Sequence, residues 1–202
     1  MPSVSENIVR EYLESNGFFV RQHRKYISPS RGEDDDIDFF ALNPNPEPLV
    51  GERPFVLSSA DLRSIERAVV VVRGWHTETF SPARLTKAPE ILRFVEPRVL
   101  RRAIEAFGTE ITPLKVLVVT SLPHGESARQ ETISFLKSKG VDAVLPFSTI
   151  LWDLIQRVAP NRNYQKSDVL QMLRILKNYG FFREPQLELF RSVRRRKSRN
   201  SE

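Results

Sequence analysis

RAVVVVRGW, residues 67–75, is the stretch whose reading decides the fold. Val69, Val70, Val71 and Val72 follow one another with no polar position to face water. A strand made from them is expected to be covered on both sides, as central strands of α/β sheets are. It ends on a positive charge, Arg73, and a glycine, Gly74. Its natural neighbour is EDDDIDFFA, residues 33–41, where a run of carboxylates turns into an apolar strand over 37–42. Asp34, Asp35 and Asp36 read as a solvated turn, whereas Asp38 falls inside the strand pattern, where an unpaired carboxylate is costly. A basic residue ending one buried strand and an aspartate opening the next are expected to meet at one sheet edge, as an ion pair or as part of a site.

Working outward toward the N-terminus, Ser3-Val-Ser-Glu6 has the spacing of a capping box, and Val4, Ile8, Tyr12 and Leu13 recur on one face until Gly17 ends the helix. Residues 18–26, FFVRQHRKY, are aromatic and β-branched before they become basic at Arg24 and Lys25, which reads as a strand running out to a charged end. Ser28-Pro-Ser-Arg-Gly32 turns the chain back toward the acidic run. Beyond the strand at 37–42, the prolines at 44, 46 and 48 forbid further pairing and open a loop reaching to Gly51 and Pro54. Residues 61–67 fit either a helical turn or the approach to a strand.

Toward the C-terminus, Ser81-Pro82 and Pro89 are helix starts. Residues 97–107 form a clearer helix, with Val99, Leu100, Ala103, Ile104 and Phe107 inward and Gly108 as terminator. That helix serves as the crossover to a second buried run at 115–120. A helix over 126–138, a short strand over 141–147 and a helix capped by Ser148 and running to Val158 follow. Ser167 caps a last helix with Val169, Leu170, Leu173 and Leu176 inward, and the arginine-rich tail RSVRRRKSRNSE reads as disordered. The linker over 159–166 is too long for the tight turn of a helix-turn-helix. The expected architecture is α/β, a mixed central sheet flanked by helices over residues 1–159, with a C-terminal helical extension and basic tail over 160–202.

The chain has 202 residues, 40% of them hydrophobic and 28% charged, ordinary values for a globular domain. It lacks cysteine, and His23, His76 and His124 stand too far apart for a zinc centre, so thiolate and histidine-rich metal chemistry is excluded. No run approaches the roughly 18 to 20 apolar residues of a membrane span, and residues 2–17 lack a signal-peptide core; a soluble, cytoplasmic protein without a membrane partner is expected. A net charge of +6 makes DNA or another polyanion the natural partner. The groups best placed by pattern to hold it are Arg24, Lys25 and Arg73, with Arg194, Arg195, Arg196 and Lys197 in the tail. Trp75 and His76 are candidates for base or sugar contact, against core packing for the tryptophan.

Order and residues together resemble the PD-(D/E)xK nuclease superfamily, the restriction-endonuclease-like fold, and most of all its Mrr-type and Holliday-resolvase-like branches. That fold opens with a helix often carrying a glutamate, then a hairpin whose second strand begins with the metal-binding aspartate. A strand ending in Glu-x-Lys, a crossover helix and a further strand follow. Glu6 sits on the first helix, Asp38 in Asp36-Ile-Asp38-Phe-Phe-Ala matches the Ile-Asp followed by apolar residues, and Val71-Val72-Arg73 falls on Glu-x-Lys. The resemblance covers residues 3–159 and implies an ion, Mg2+ or Mn2+, held by Asp38 with Glu6, and Arg73 in the place of the catalytic lysine.

The departures carry as much weight. Valine at 71 ligates nothing, and arginine at 73 keeps the charge but exchanges no proton near neutrality. The resemblance therefore implies a nucleic-acid-binding protein, DNA the first choice, with a nuclease-like fold and a degraded, inactive metal site. The alternative is an active metal-dependent DNA endonuclease or resolvase in which Glu66, Glu78 or Glu90 has taken over as ligand. A structural or assembly subunit, partnered by another protein or by its own copy, is a third reading. On sequence alone, Val71→Glu with Arg73→Lys is expected to create metal-dependent cleavage if the scaffold is otherwise intact.

Overall fold

A computed structural model describes residues 3–22, 37–74, 79–108 and 110–182. The chain divides into two compact units, Met1–Leu154 and Ile155–Glu202.

In the first unit, Ser3 caps helix α1, Val4–Ser15: its Oγ accepts from the Glu6 amide at 3.2 Å and donates to Glu6 Oε1 at 3.0 Å. The expected capping box is present in a variant form, the hydroxyl serving both bonds. Ser3→Ala removes both, and thermal or urea unfolding is expected to show a loss of about 1 kcal/mol. The buried face differs from the expected one. Val9, Tyr12 and Leu13 are buried, with Ser5, whereas Val4 is 75% exposed. Val4, Ile8 and Val9 are all apolar, so the sequence leaves two overlapping stripes, and the one that includes Val9 is packed.

Gly17, at φ 87°, turns the chain into the hairpin of β1, Phe19–Gln22, and β2, Phe39–Leu42, which pair antiparallel with Phe19 opposite Leu42. Residues 23–36, including the basic end of the expected first strand, lie outside the described residues. β2 in turn pairs antiparallel with β3, Arg67–Arg73. Residues 61–67 resolve into a single 3-10 turn, Asp61–Ser64, leading into that strand. The crossover then runs through α2, Pro82–Lys87, capped by Ser81, a 3-10 segment, Pro89–Val95, and α3, Pro97–Phe107, closed by Gly108 in the left-handed conformation. It delivers β4, Leu114–Val119, parallel to β3, and α4, Glu126–Ser138, delivers β5, Ala143–Pro146, parallel to β4.

Among the described residues the sheet is mixed and five-stranded, in the order β1-β2-β3-β4-β5, with β3 in the middle and β2 beside it. Val69, Val70, Val71 and Val72 are 0 to 7% exposed, so the strand is covered on both faces as the four valines require. Alternation puts Val69 and Val71 in one cluster with Phe40, Phe80, Phe94, Leu117 and Val119, on the side of the crossover helices. The Pro-rich loop after β2 returns to the far edge of the sheet, where the Val144 amide donates to Phe55 O at 2.7 Å and Val144 O accepts from the Leu57 amide at 2.8 Å. α5, Phe147–Arg157, begins one residue before the expected cap, so Ser148 lies inside the helix; buried Phe147, directly after β5, anchors its start.

In the second unit, Ser167 caps α6, Asp168–Asn178, as expected, and Leu173 is the buried residue of its inner face. The preceding loop is tied to the helix by polar bonds: Arg174 Nε to Pro160 O at 3.0 Å and Lys177 Nζ to Val158 O at 2.8 Å. Among the described residues no helix is long and apolar enough to cross a membrane.

Candidate functional site

Antiparallel pairing of β2 with β3, with Phe39 opposite Val70, brings the start of β2 to the carboxyl end of β3. Asp38 is held there by its own amide, which donates to Val70 O at 3.1 Å. Its Oδ2 accepts from the Val72 amide at 2.7 Å and from Arg73 Nη1 at 3.2 Å. Arg73 Nη1 also donates to the carbonyl of Val72 at 2.9 Å, which folds the guanidinium back over the strand end. The side chains of Arg73 and Asp38 are 20% and 16% exposed, so the ion pair is mostly withdrawn from water. A carboxylate in that setting is stabilised by two donors, one charged and one a main-chain dipole, and its negative charge is met inside the protein.

Val71, at the position of the acidic ligand in the resemblance, is 0% exposed within the apolar cluster. Glu6 is tied elsewhere: Oε1 accepts from Ser3 and Oε2 from Gln22 Nε2 at 2.9 Å. The structure thus joins Asp38 to Arg73, and gives the Glu6 carboxylate to the capping box and to β1. Among the described residues no three His, Asp or Glu side chains gather as a metal ion would need. Of the substitute acids, Glu66 precedes β3 at its other end, where it pairs with Arg67, and is separated from Arg73 by seven residues of strand, roughly 23 Å. That position removes it from the site. Glu90 is exposed in the first turn of the 3-10 segment, and Glu78 lies outside the described residues. Arg24, Lys25, Trp75, His76, Arg194, Arg195, Arg196 and Lys197 also lie outside them.

The neighbouring strand end adds polar groups. Val119 pairs with Arg73, so Gly74 and Thr120 leave adjacent ends of parallel strands. At the other end of β4, Lys115 and Asp142 close a reciprocal set: Asp142 Oδ2 accepts from the Lys115 amide at 2.9 Å, Lys115 O from the Asp142 amide at 3.0 Å, and the side chains pair at 3.2 Å. This pin aligns β5 with β4.

The sequence reading missed the main-chain amide of Val72 as a partner of Asp38, since a backbone donor has no residue-type signature. It also missed the exposure of Phe19, although the Phe18-Phe19 doublet signals it: alternation allows only one of the two to point inward, and Phe18 is 4% exposed against 68% for Phe19.

No family model matches the chain, and neither a curated protein nor a solved structure matches it.

Proposed function

We propose that the chain is a nucleic-acid-binding protein on a restriction-endonuclease-like scaffold whose metal site has fallen out of use. The observation that carries this reading is the Asp38 carboxylate turned onto Arg73 and the Val72 amide. A metal ligand must offer its lone pairs to the ion, whereas this oxygen already holds two donors, one of them cationic. The burial of Val71 supports the same reading from the other ligand position. The element order supports the scaffold: a first helix, a hairpin whose second strand starts at Asp38, a central strand ending at Arg73, a crossover and a parallel strand. The net charge of +6 supplies the affinity.

Binding of this kind reads phosphates rather than bases, so it weakens steeply with salt. Removing residues 191–202, which contain six Arg or Lys, should flatten the slope of log affinity against log salt by up to about 0.9 for each phosphate the tail had neutralised. The same preparation is expected to leave duplex DNA intact in magnesium or manganese. A salt-independent affinity, or no binding to DNA or RNA at low salt, overturns the binding reading. Metal-dependent cleavage that Asp38→Ala abolishes would instead establish an active nuclease with a ligand such as Glu78 or Glu90.

A further inference from the structure

Among the described residues the two edges of the sheet differ in their cover. The edge at β5 is covered by residues 55–57, bonded to Val144 through both its amide and its carbonyl. The edge at β1 pairs with β2 on its inner side, and among the described residues no strand lies on its outer side. An uncovered edge strand presents unpaired amides and carbonyls, a template for another extended chain. Beside this edge is a groove of about 480 Å3, lined in part by Phe18, Phe40, Leu42 and Phe107. Phe40 and Phe107 meet edge to face at 5.7 Å. Phe19 and Arg21 stand over the groove from the edge strand, across from Leu42 and Phe40 in register, and both are exposed.

The charges at this groove are unequal in their commitments. Glu14 is bound to Arg10 at 2.8 Å. Arg21, among the described residues, has neither a hydrogen bond nor an ion pair from its guanidinium. An occupant therefore meets an apolar lining and, among the described residues, a cation without an internal partner, two residues from an exposed phenylalanine on the same strand face.

We propose that β1 is a docking edge for a partner protein, which adds an extended segment carrying an apolar side chain and, two residues away, a carboxylate. Main-chain bonds to β1 supply the register, the apolar residue covers Phe19 and enters the groove, and the carboxylate pairs with Arg21. The spacing of two follows from the strand period, which places Phe19 and Arg21 on one face and Val20 and Gln22 on the other. This surface goes beyond the nucleic-acid reading and does not depend on it.

The test uses the full chain with a blocked peptide TLTETLT, which puts Leu, Glu and Leu on one face, and its lysine counterpart TLTKTLT. Amide shifts in a nitrogen–proton correlation spectrum are expected at residues 19–22 and around Phe107, with the glutamate peptide bound at least about tenfold more tightly. Arg21→Glu is expected to reverse the preference, and Phe19→Ser to weaken both peptides; both residues are exposed, so circular dichroism should show folded variants. Equal binding of the two peptides, shifts confined to other strands, or concentration-dependent self-association through these amides in place of peptide binding each overturns the proposal.

Discussion

Val71→Glu is expected to cost about 3–5 kcal/mol of folding stability, and manganese is not expected to restore it. The side chain is fully buried, its residue is paired in register with Leu117 of β4, and its surroundings are Phe, Val and Leu. A carboxylate placed there loses its hydration and gains no hydrogen-bond donor. It must fold neutral or draw in a counter-charge, and either route destabilises. The nearest cation on that strand face, Arg73, is already held by Asp38. The structure therefore changes the expectation drawn from sequence, in which Val71→Glu with Arg73→Lys rebuilds a metal site. In an open cleft the new carboxylate would complete a ligand set; in this packing it disrupts a core. Urea unfolding with and without manganese decides between the two. A variant within about 1 kcal/mol of the parent that gains stability from manganese would show that the ligand position is still open to an ion.

The central part of the fold was legible because its signals are strong and local. Four valines in a row need cover on both faces, and a crossover bounded by Pro97 and Gly108 makes the following strand parallel. The meeting of Asp38 and Arg73 was legible for a related reason: antiparallel pairing puts the first residue of one strand beside the last of the other, whatever their chemistry. What escaped sequence reading depends on choices among equivalents. Val4, Ile8 and Val9 offer two helical faces, and only packing selects Val9. A chain that can open a helix at Ser148 does so one residue earlier, because Phe147 gains more from burial than the helix gains from a serine cap. The bond from the Val72 amide to Asp38 belongs to no side-chain pattern, yet it decides whether the carboxylate faces an ion or the protein.

Asp38→Ala provides the sharpest measurement of that last point, because its sign differs between the two roles. If the carboxylate is part of a closed internal pair, its removal leaves the Val72 amide without an acceptor and the mostly buried Arg73 without its counter-charge. A loss of about 2–4 kcal/mol is then expected. Arg73→Met should cost less, since Asp38 keeps the main-chain donor and the methionine stem retains much of the packing. The double variant should lose less than the sum of the two, by a coupling of about 1–3 kcal/mol. A carboxylate held ready for a cation behaves in the opposite way: without the ion its charge is only partly met, the fold carries the strain, and Asp38→Ala leaves stability unchanged or raises it. Unfolding curves of the metal-free chain, its two single variants and the double variant therefore separate a structural ion pair from a poised metal site without any assay of cleavage.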